Sequence, residues 1–389
     1  MWAYVITHPI QYYTPVLQEL ERRAPGECEA LYCSAELEAS HSQSGFGVAY
    51  RWDVPLLEGY RYRFLRNRAA HPSTTTFGGL DNPELSALIA SRRYDAVAVN
   101  GWHFKSAWRV LVACWRHGVP VLVRSDSHLR GPVTLRKLAK GPFFRGFIPH
   151  IDGCLAAGSW SYDYFEKYGA SSNHIFKIPH CVDNRRFEQD MVRLGPERQQ
   201  LRRQWGIPED ATVFLFAGKF IDVKRPADFV GAVGSCAAKR PSVVGLMAGD
   251  GPLRAQSEEQ ARRSGAPVRF AGFLNQSRIS EAYAVADALV LPSQTETWGL
   301  VVNEAMASGL PCIVSDQVGC GPDVIERGIT GDVHVMGDVE DLAEVLMEYA
   351  GSGRLASMSA AARRKMEAYS VPAAAGALAS AVETVRRRK

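Results

Sequence analysis

The sequence predicts the α/β class, with two domains that each carry a parallel sheet covered by helices on both faces. Three observations predict it. Short apolar runs alternate with helical patterns over most of the chain. The length, 389 residues, exceeds what one ordinary core fills. The alternation breaks once, between Phe187 and Ile207, where the chain turns polar and basic.

The elements follow in order. In the first half, apolar runs predict strands over 2–6, 29–33, 96–99, 119–123, 153–156 and 175–178. In the second half they predict strands over 213–217, 243–248, 268–271, 288–291, 312–314 and 331–334. Helical patterns fall between them, over 15–22, 83–91, 105–117, 160–168, 226–239 and 339–349. Runs that are apolar throughout, rather than alternating, are those of strands buried on both faces. The join is expected near 184–206, with a first domain over 1–190, a second over 191–371 and a last helix over 372–389. Ligands are expected in a cleft at the carboxyl ends of the two sheets.

Bulk properties exclude several classes. The chain is 46% hydrophobic and 22% charged with a net charge of +4, so its overall field gives no argument for nucleic acid. No apolar run approaches the roughly 20 residues of a spanning helix. The start, Met1-Trp2-Ala3-Tyr4-Val5-Ile6, lacks the basic opening and cleavage site of a signal peptide. Eight cysteines without a Cys-x-x-Cys pair read as reduced thiols of a cytoplasmic protein rather than a zinc site. Bases nevertheless cluster, at Arg61, Arg63, Arg66 and Arg68, and again at Arg130, Arg136, Lys137, Lys140 and Arg145.

The most informative stretch runs from Pro292 to Pro311. An apolar run ends in a polar loop, the loop opens into a helix, and the helix stops at Gly309 and Pro311 before a second apolar run. Such a unit leaves helix N–H groups pointing out of the carboxyl end of a parallel sheet. Glu296 lies in the loop and Glu304 two turns into the helix, framing a floor made by the backbone of Gly299, Leu300 and Val301. Donors on the floor and acceptors at the rim suit a diphosphate flanked by sugar hydroxyls.

Glu-x7-Glu followed by Ala-Met-Ala-x-Gly-x-Pro resembles the donor-site signature of retaining glycosyltransferases of the GT-B fold, most closely family 4 (glycosyl transferases group 1). The resemblance covers nearly the whole chain and implies two Rossmann-like domains facing each other across a cleft. It implies that Glu296 faces the donor hexose and Glu304 holds the ribose hydroxyls. In Gly218-Lys219-Phe220-Ile221-Asp222-Val223-Lys224, Lys219 stands where the family has Arg and Lys224 where it has Lys. Two cations there neutralise a diphosphate, although Lys lacks the bidentate fork of Arg. Gly249 belongs to a Gly-x-Gly-Pro turn, read chiefly as a tight turn that keeps the site open. Gly272, Phe273 and Leu274 resemble the segment whose backbone meets the nucleobase edge, which leaves uridine and guanosine donors unseparated.

The first domain is expected to carry the acceptor. His8, Gln11 and Tyr12 follow its first strand, where relatives have a glycine-rich loop. They are read as sugar contacts, with a helix-capping loop as the plain alternative. His103 ends a second strand and is equally a sugar contact or a packed histidine. Arg124, Asp126 and His128 end the next strand, and Asp126 takes the position of the family's donor-sugar histidine. His180-Cys181 replaces the family's Asn-Gly and reads as structural. The stretch 133–148 mixes bases with phenylalanines, a pattern shared by membrane-surface, acceptor-site and solvated helices.

Glycosyl transfer requires stabilisation of the charge growing on the leaving diphosphate. Lys219, Lys224 and the helix N-terminus are expected to supply it without a metal or other cofactor, there being no suitably placed Asp-x-Asp. The expected partners are a nucleotide-sugar donor, UDP more than GDP, and a saccharide, lipid-linked or small-molecule acceptor. A surface polysaccharide is the favoured product, and peripheral contact at the inner membrane face is left open. A sugar-nucleotide epimerase and an inactive sugar-nucleotide-binding protein are the alternatives.

Overall fold

The computed structural model describes residues 1–35, 52–131, 135–351 and 353–388, with 135–139 as helical backbone. Of these, one unit holds 1–35, 55–180 and 371–388, and the other holds 52–54 and 181–370.

The first unit is built on β1 (Trp2–Ile6), β2 (Cys28–Tyr32), β3 (Tyr62–Phe64), β4 (Val97–Asn100), β5 (Val121–Ser125), β6 (Gly153–Ala156) and β7 (Ile175–Lys177). They pair in the order β3-β2-β1-β4-β5-β6-β7, every pair parallel. β1, β2, β5 and β6 are buried at every position, including the charged Glu29 of β2 and Arg124 of β5. Val97, Val99, Val121 and Val123 face a core closed by Val110, Leu111 and Cys114 of the helix Lys105–His117. That helix ends at Gly118, whose φ of 63° supplies the left-handed cap. The helix Val371–Arg387 returns to this unit and buries Ala374, Leu378, Ala381 and Val385 against the helix Thr14–Arg23, β6 and β7. Arg386 then joins Glu27 and Asp95, beside the amino terminus.

The second unit is built on β8 (Thr212–Ala217), β9 (Val243–Ala248), β10 (Val268–Gly272), β11 (Ala288–Leu291), β12 (Cys312–Ser315) and β13 (Gly331–His334). Their order is β10-β9-β8-β11-β12-β13, again all parallel. Helices Pro226–Lys239 and Val339–Tyr349 pack together over one core, around Phe216, Phe229, Val233, Val290 and Leu346. Each such side chain contributes roughly 1.5–3 kcal/mol by leaving water.

In both units the order reverses between the first strand and the fourth, at β1/β4 and at β8/β11. Connections leave those neighbours in opposite directions, so a crevice opens at their carboxyl ends. This is what positions both sites described below.

All the expected strands form, with ends shifted by a residue or two. β3 was not expected: it has three residues, and Arg61 and Arg63 flank the exposed Tyr62, which masks its pattern. The interruption between Phe187 and Ile207 is helical, over Asn184–Leu194 and Arg198–Gln204. Its bases are structural there, because Arg202, 3% exposed, donates to the carbonyls of Val285, Glu209 and Ala211 and pairs with Asp287.

Of the stretch 133–148, the first two residues lie outside the described ones, and the rest is mainly the helix Leu135–Phe147, with Pro142 inside it. The side chains of Arg136 and Lys137 lie outside the described residues. Phe144 and Phe147 pack on Trp102, at 5.9 and 5.6 Å between ring centroids, while Lys140, Phe143 and Arg145 are exposed. All eight cysteines are buried and free of disulfides. Burial alone pushes the Cys154 thiol up to about 12. Among the described residues, no helix is long and apolar enough to cross a membrane.

Candidate functional site

The second unit's site grows from the ends of β8 and β11. After β8 the chain passes Gly218 and Lys219, makes one tight turn over Asp222–Lys224, and enters the helix at Pro226. After β11 it runs through Ser293 and Glu296 to Gly299, which caps the helix Leu300–Ala307 with a φ of 99°. The two loops are joined twice. The Gln294 amide donates to the Val223 carbonyl at 2.8 Å, and the Lys224 ammonium is bonded to the Glu296 carboxylate. Both side chains are largely buried, so this pair is weakly screened. The Ser293 hydroxyl also donates to Glu296, at 3.1 Å. Lys219 has its pKa lowered by burial and then by the Lys224 charge beside it. Two cations and one carboxylate thus meet at a switch point, and the helix Leu300–Ala307 starts on the same loop as Glu296.

The Glu296 loop is fixed by its backbone. Glu296 N–H donates to Gln317, Gly319 N–H donates to Glu296, and Cys320 N–H donates to Trp298. A Cβ at Gly319 would lie 2.0 Å from the Thr297 carbonyl oxygen, so only glycine lets these strands of chain meet. The Trp298 indole donates to Asn303 at 2.8 Å, both residues being buried. Glu304, 4% exposed, accepts a hydrogen bond from the Tyr283 hydroxyl at 2.7 Å. A buried carboxylate needs such donors.

The glycine turns after β8, β9 and β10 are stitched in series. Gly218 N–H donates to Ala248, and Gly249 N–H donates to Gly272. A Cβ on Gly249 would fall 1.9 Å from the Gly218 carbonyl oxygen. Gly249 is therefore a spacer between strand ends, the plainer of its two readings. Gly272 ends β10 at a register shift, and Phe273 and Leu274 follow it out of the sheet.

The first unit has its own cavity at the ends of β4 and β5. It measures about 260 Å³ and is walled by Tyr13, Asn100, Trp102, His103, Arg124 and Asp126, with Ser125, Ser127 and His180 beside them. Asn100 donates to the Tyr13 hydroxyl at 2.8 Å. The Arg124 guanidinium stands 5.9 Å from the Tyr13 ring centroid. Burial lowers the His103 pKa, and the Asp126 carboxylate opposes that shift. His180 is held well below the ordinary histidine value by burial and then by Arg124, so it is neutral near pH 7.

Of the expected residues, the structure brings Lys219, Lys224 and Glu296 together, and Glu304 and the Gly299–Val301 floor lie on the same loop and helix. It brings His103, Arg124 and Asp126 together in the first-unit cavity. His8, Gln11, Tyr12 and His128 do not wall that cavity. His8 is bonded to Thr7 at 2.9 Å, and the His128 ring lies 5.4 Å from that of Trp160. Gln11 keeps a buried amide oxygen without a hydrogen-bond partner. Tyr13 rather than Tyr12 reaches the cavity, and His180, read as structural, lines it. Sequence reasoning missed Ser293, Tyr283 and the Gln317–Cys320 clamp, and no sequence signal separates them from core residues. Among the described residues, no group of three or more His, Cys, Asp or Glu is arranged to hold a metal ion.

Comparison with known proteins agrees with this architecture. Residues 197–366 match the family model described as Glycosyl transferases group 1. The D-inositol 3-phosphate glycosyltransferase of Streptomyces avermitilis is 33% identical over 215 residues, covering 51% of this chain and 46% of that protein. The N-acetyl-alpha-D-glucosaminyl L-malate synthase of Bacillus anthracis is 31% identical over 158 residues, 41% of each chain. The chain thus spans somewhat under half the length of these curated relatives. Anabaena Alr3699/HepE, solved in complex with UDP, has a similar fold, with a TM-score of 0.71 and 15% identity over 98% of this chain and 99% of that one. Residues 197–366 are therefore a glycosyl transferases group 1 region, in a chain whose two parallel sheets have the GT-B glycosyltransferase fold.

Proposed function

We propose that the protein is a retaining, metal-independent glycosyltransferase of family 4, which moves a hexose from a nucleotide-diphosphate sugar, UDP rather than GDP, to an acceptor hydroxyl. The observation that carries this reading is the joint of Lys224 and Glu296 between the β8 and β11 loops, with Lys219 and a helix start beside it. Fixed cations at a switch point are what a departing diphosphate requires. In the reaction the bond from the anomeric carbon to the diphosphate oxygen breaks, and its electron pair leaves with the diphosphate. The acceptor oxygen bonds to the same face of that carbon, and its proton passes to the departing phosphate oxygen. Lys219 and Lys224 hold the charge, Glu296 orients the donor sugar and Glu304 the ribose. Asp126 shapes the sugar pocket.

The acceptor we favour is a saccharide or lipid-linked saccharide of a surface polysaccharide, used on the cytoplasmic side. The exposed Lys140, Phe143 and Arg145 support contact with an anionic membrane face. A small-molecule acceptor is a second reading, supported by the small cavity in the first unit and by relatives whose names carry D-inositol 3-phosphate and L-malate.

The test is binding of UDP and GDP in EDTA, by wild type and by Glu304→Ala. Tight UDP binding that the substitution abolishes is the expected result. Failure of both nucleotides to bind wild type would sink the transferase reading.

A further inference from the structure

The turn that leads from β8 into the helix Pro226–Lys239 closes on Arg225, whose φ and ψ are both 52°. Glycine takes this left-handed conformation freely, and a long L side chain takes it only at a cost. Among the described residues one other non-glycine, the exposed Arg92, has a positive φ. Arg225 stands between Lys224, which is bonded to Glu296, and Pro226, which starts the helix. A residue before proline is disfavoured in the right-handed helical region and goes to the extended one when left to itself. A relaxed Arg225 would therefore redirect the chain at Lys224.

Neighbouring contacts hold the strained form. The Arg225 N–H donates to the Asp222 carbonyl at 3.0 Å, and the Arg225 carbonyl accepts from the Asp228 N–H at 3.1 Å. The guanidinium donates through Nε and Nη2 to both oxygens of the Asp228 carboxylate, the second at 3.1 Å. Asp228 is buried in the first turn of the helix, where a carboxylate is favoured. The same guanidinium lies over the turn at Gly337, where a Cβ would stand 3.5 Å from Nη2. That turn joins β13 to the helix Val339–Tyr349, which packs on the helix Pro226–Lys239. The Arg225 side chain thus braces its own backbone against a buried acid one turn ahead. A forked pair of guanidinium and carboxylate fixes direction as well as distance, which an ammonium does not.

We propose that Arg225 is a positioning residue, whose fork to Asp228 holds the strained turn that aims the Lys224 ammonium at Glu296. Arg225 acts through Lys224 and has no contact of its own with substrate. The inference rests on the donor-site reading, in which Lys224 holds the diphosphate, and adds the residue that keeps Lys224 in place.

The experiment is calorimetric titration of the whole protein with UDP, on Arg225→Ala and Arg225→Gly, each with and without Lys224→Ala. Arg225→Ala should weaken UDP binding about tenfold, because alanine loses the fork and keeps the steric cost. Arg225→Gly should recover much of that loss, since glycine holds the left-handed turn without a brace. Equal defects in the two variants, the mark of a residue acting only by its charge, overturn the proposal. In the Lys224→Ala background, Arg225→Ala should cost less than about twofold, because the group it positions is gone. An equal loss in both backgrounds overturns the proposal, as does wild-type affinity in folded Arg225→Ala. If Arg225→Ala does not fold, Asp228→Asn, which weakens the fork and keeps the arginine, takes its place in the same cycle. A nucleotide-free reading separates this proposal from the one it rests on. In protein labelled at lysine Cε, Glu296→Gln should shift the Lys224 signal in wild type and leave it unmoved in Arg225→Ala. The same shift in both overturns the positioning role. Absence of UDP binding by wild type, with the Lys224 signal behaving as expected, defeats the transferase reading and leaves the positioning role standing.

Discussion

Lys224 and Glu296 neutralise each other across the gap between the β8 and β11 loops. Under the proposed function, donor binding would exchange one anion for another at the Lys224 ammonium, and that exchange has consequences that can be measured.

Glu296→Gln should release Lys224 for the diphosphate. The expected outcome is tighter UDP binding, by roughly tenfold, together with turnover reduced about 100-fold or more because the donor sugar loses its carboxylate. Calorimetry with UDP beside steady-state transfer assays checks it. A parallel loss of both would show that the pair acts as one unit in binding.

Tyr283→Phe removes the hydroxyl that donates to Glu304, which is 4% exposed. A buried carboxylate short of one donor should cost about 1–3 kcal/mol of stability. Urea unfolding of the variant against wild type reads that loss, and UDP affinity should fall with it.

Gly249→Ala should be far worse than Gly265→Ala. Both residues have positive φ, 138° and 67°, but a Cβ at Gly249 meets the Gly218 carbonyl oxygen at 1.9 Å while one at Gly265 meets nothing within 4 Å. We expect about 1 kcal/mol at Gly265, from backbone strain alone. At Gly249 the loss should exceed roughly 3 kcal/mol, with UDP binding gone as well. Thermal melts of the two variants make the comparison.

Stability should fall as the solution is acidified through the histidine range. His334 is 2% exposed, and burial lowers its pKa despite its bond to the Val335 carbonyl and the nearby Asp341, Asp228 and Asp316. The unfolded chain takes up a proton near the ordinary value of about 6.5, and the folded chain resists it. Stability is then full above that value and is lost as pH falls toward the depressed folded value. His180 acts in the same direction. Urea midpoints between about pH 5 and 7 should drop more steeply for wild type than for His334→Gln.

Much of this was legible in the sequence. The strands β8, β9 and β11 are apolar at nearly every position, and no other element of that length explains such runs. The loop of Glu296 and Gly299 and the helix of Glu304 were legible because they lie within one short stretch of sequence. The clamp from Gln317 to Cys320 was not, because its bonds are made by backbone atoms that every residue carries. Tyr283 reads as an ordinary core tyrosine until Glu304 is seen beside it. His180 was passed over because its neighbours in sequence are structural, and only pairing of β5, β6 and β7 carries its strand to Arg124. β3 failed for a different reason, since three residues with an arginine before and another among them carry too little pattern.

The repeated strand order gives each half of the molecule a workshop of its own. The residues walling the first cavity come from the strand ends of β4 and β5 and from Tyr13 and His180, and none of them belongs to the stretch 197–366. Under the proposed function, a few changes around 100–127 would rewrite what is glycosylated and leave the residues proposed to hold the leaving group untouched. A lineage built this way should diversify quickly in its first half and slowly in its second.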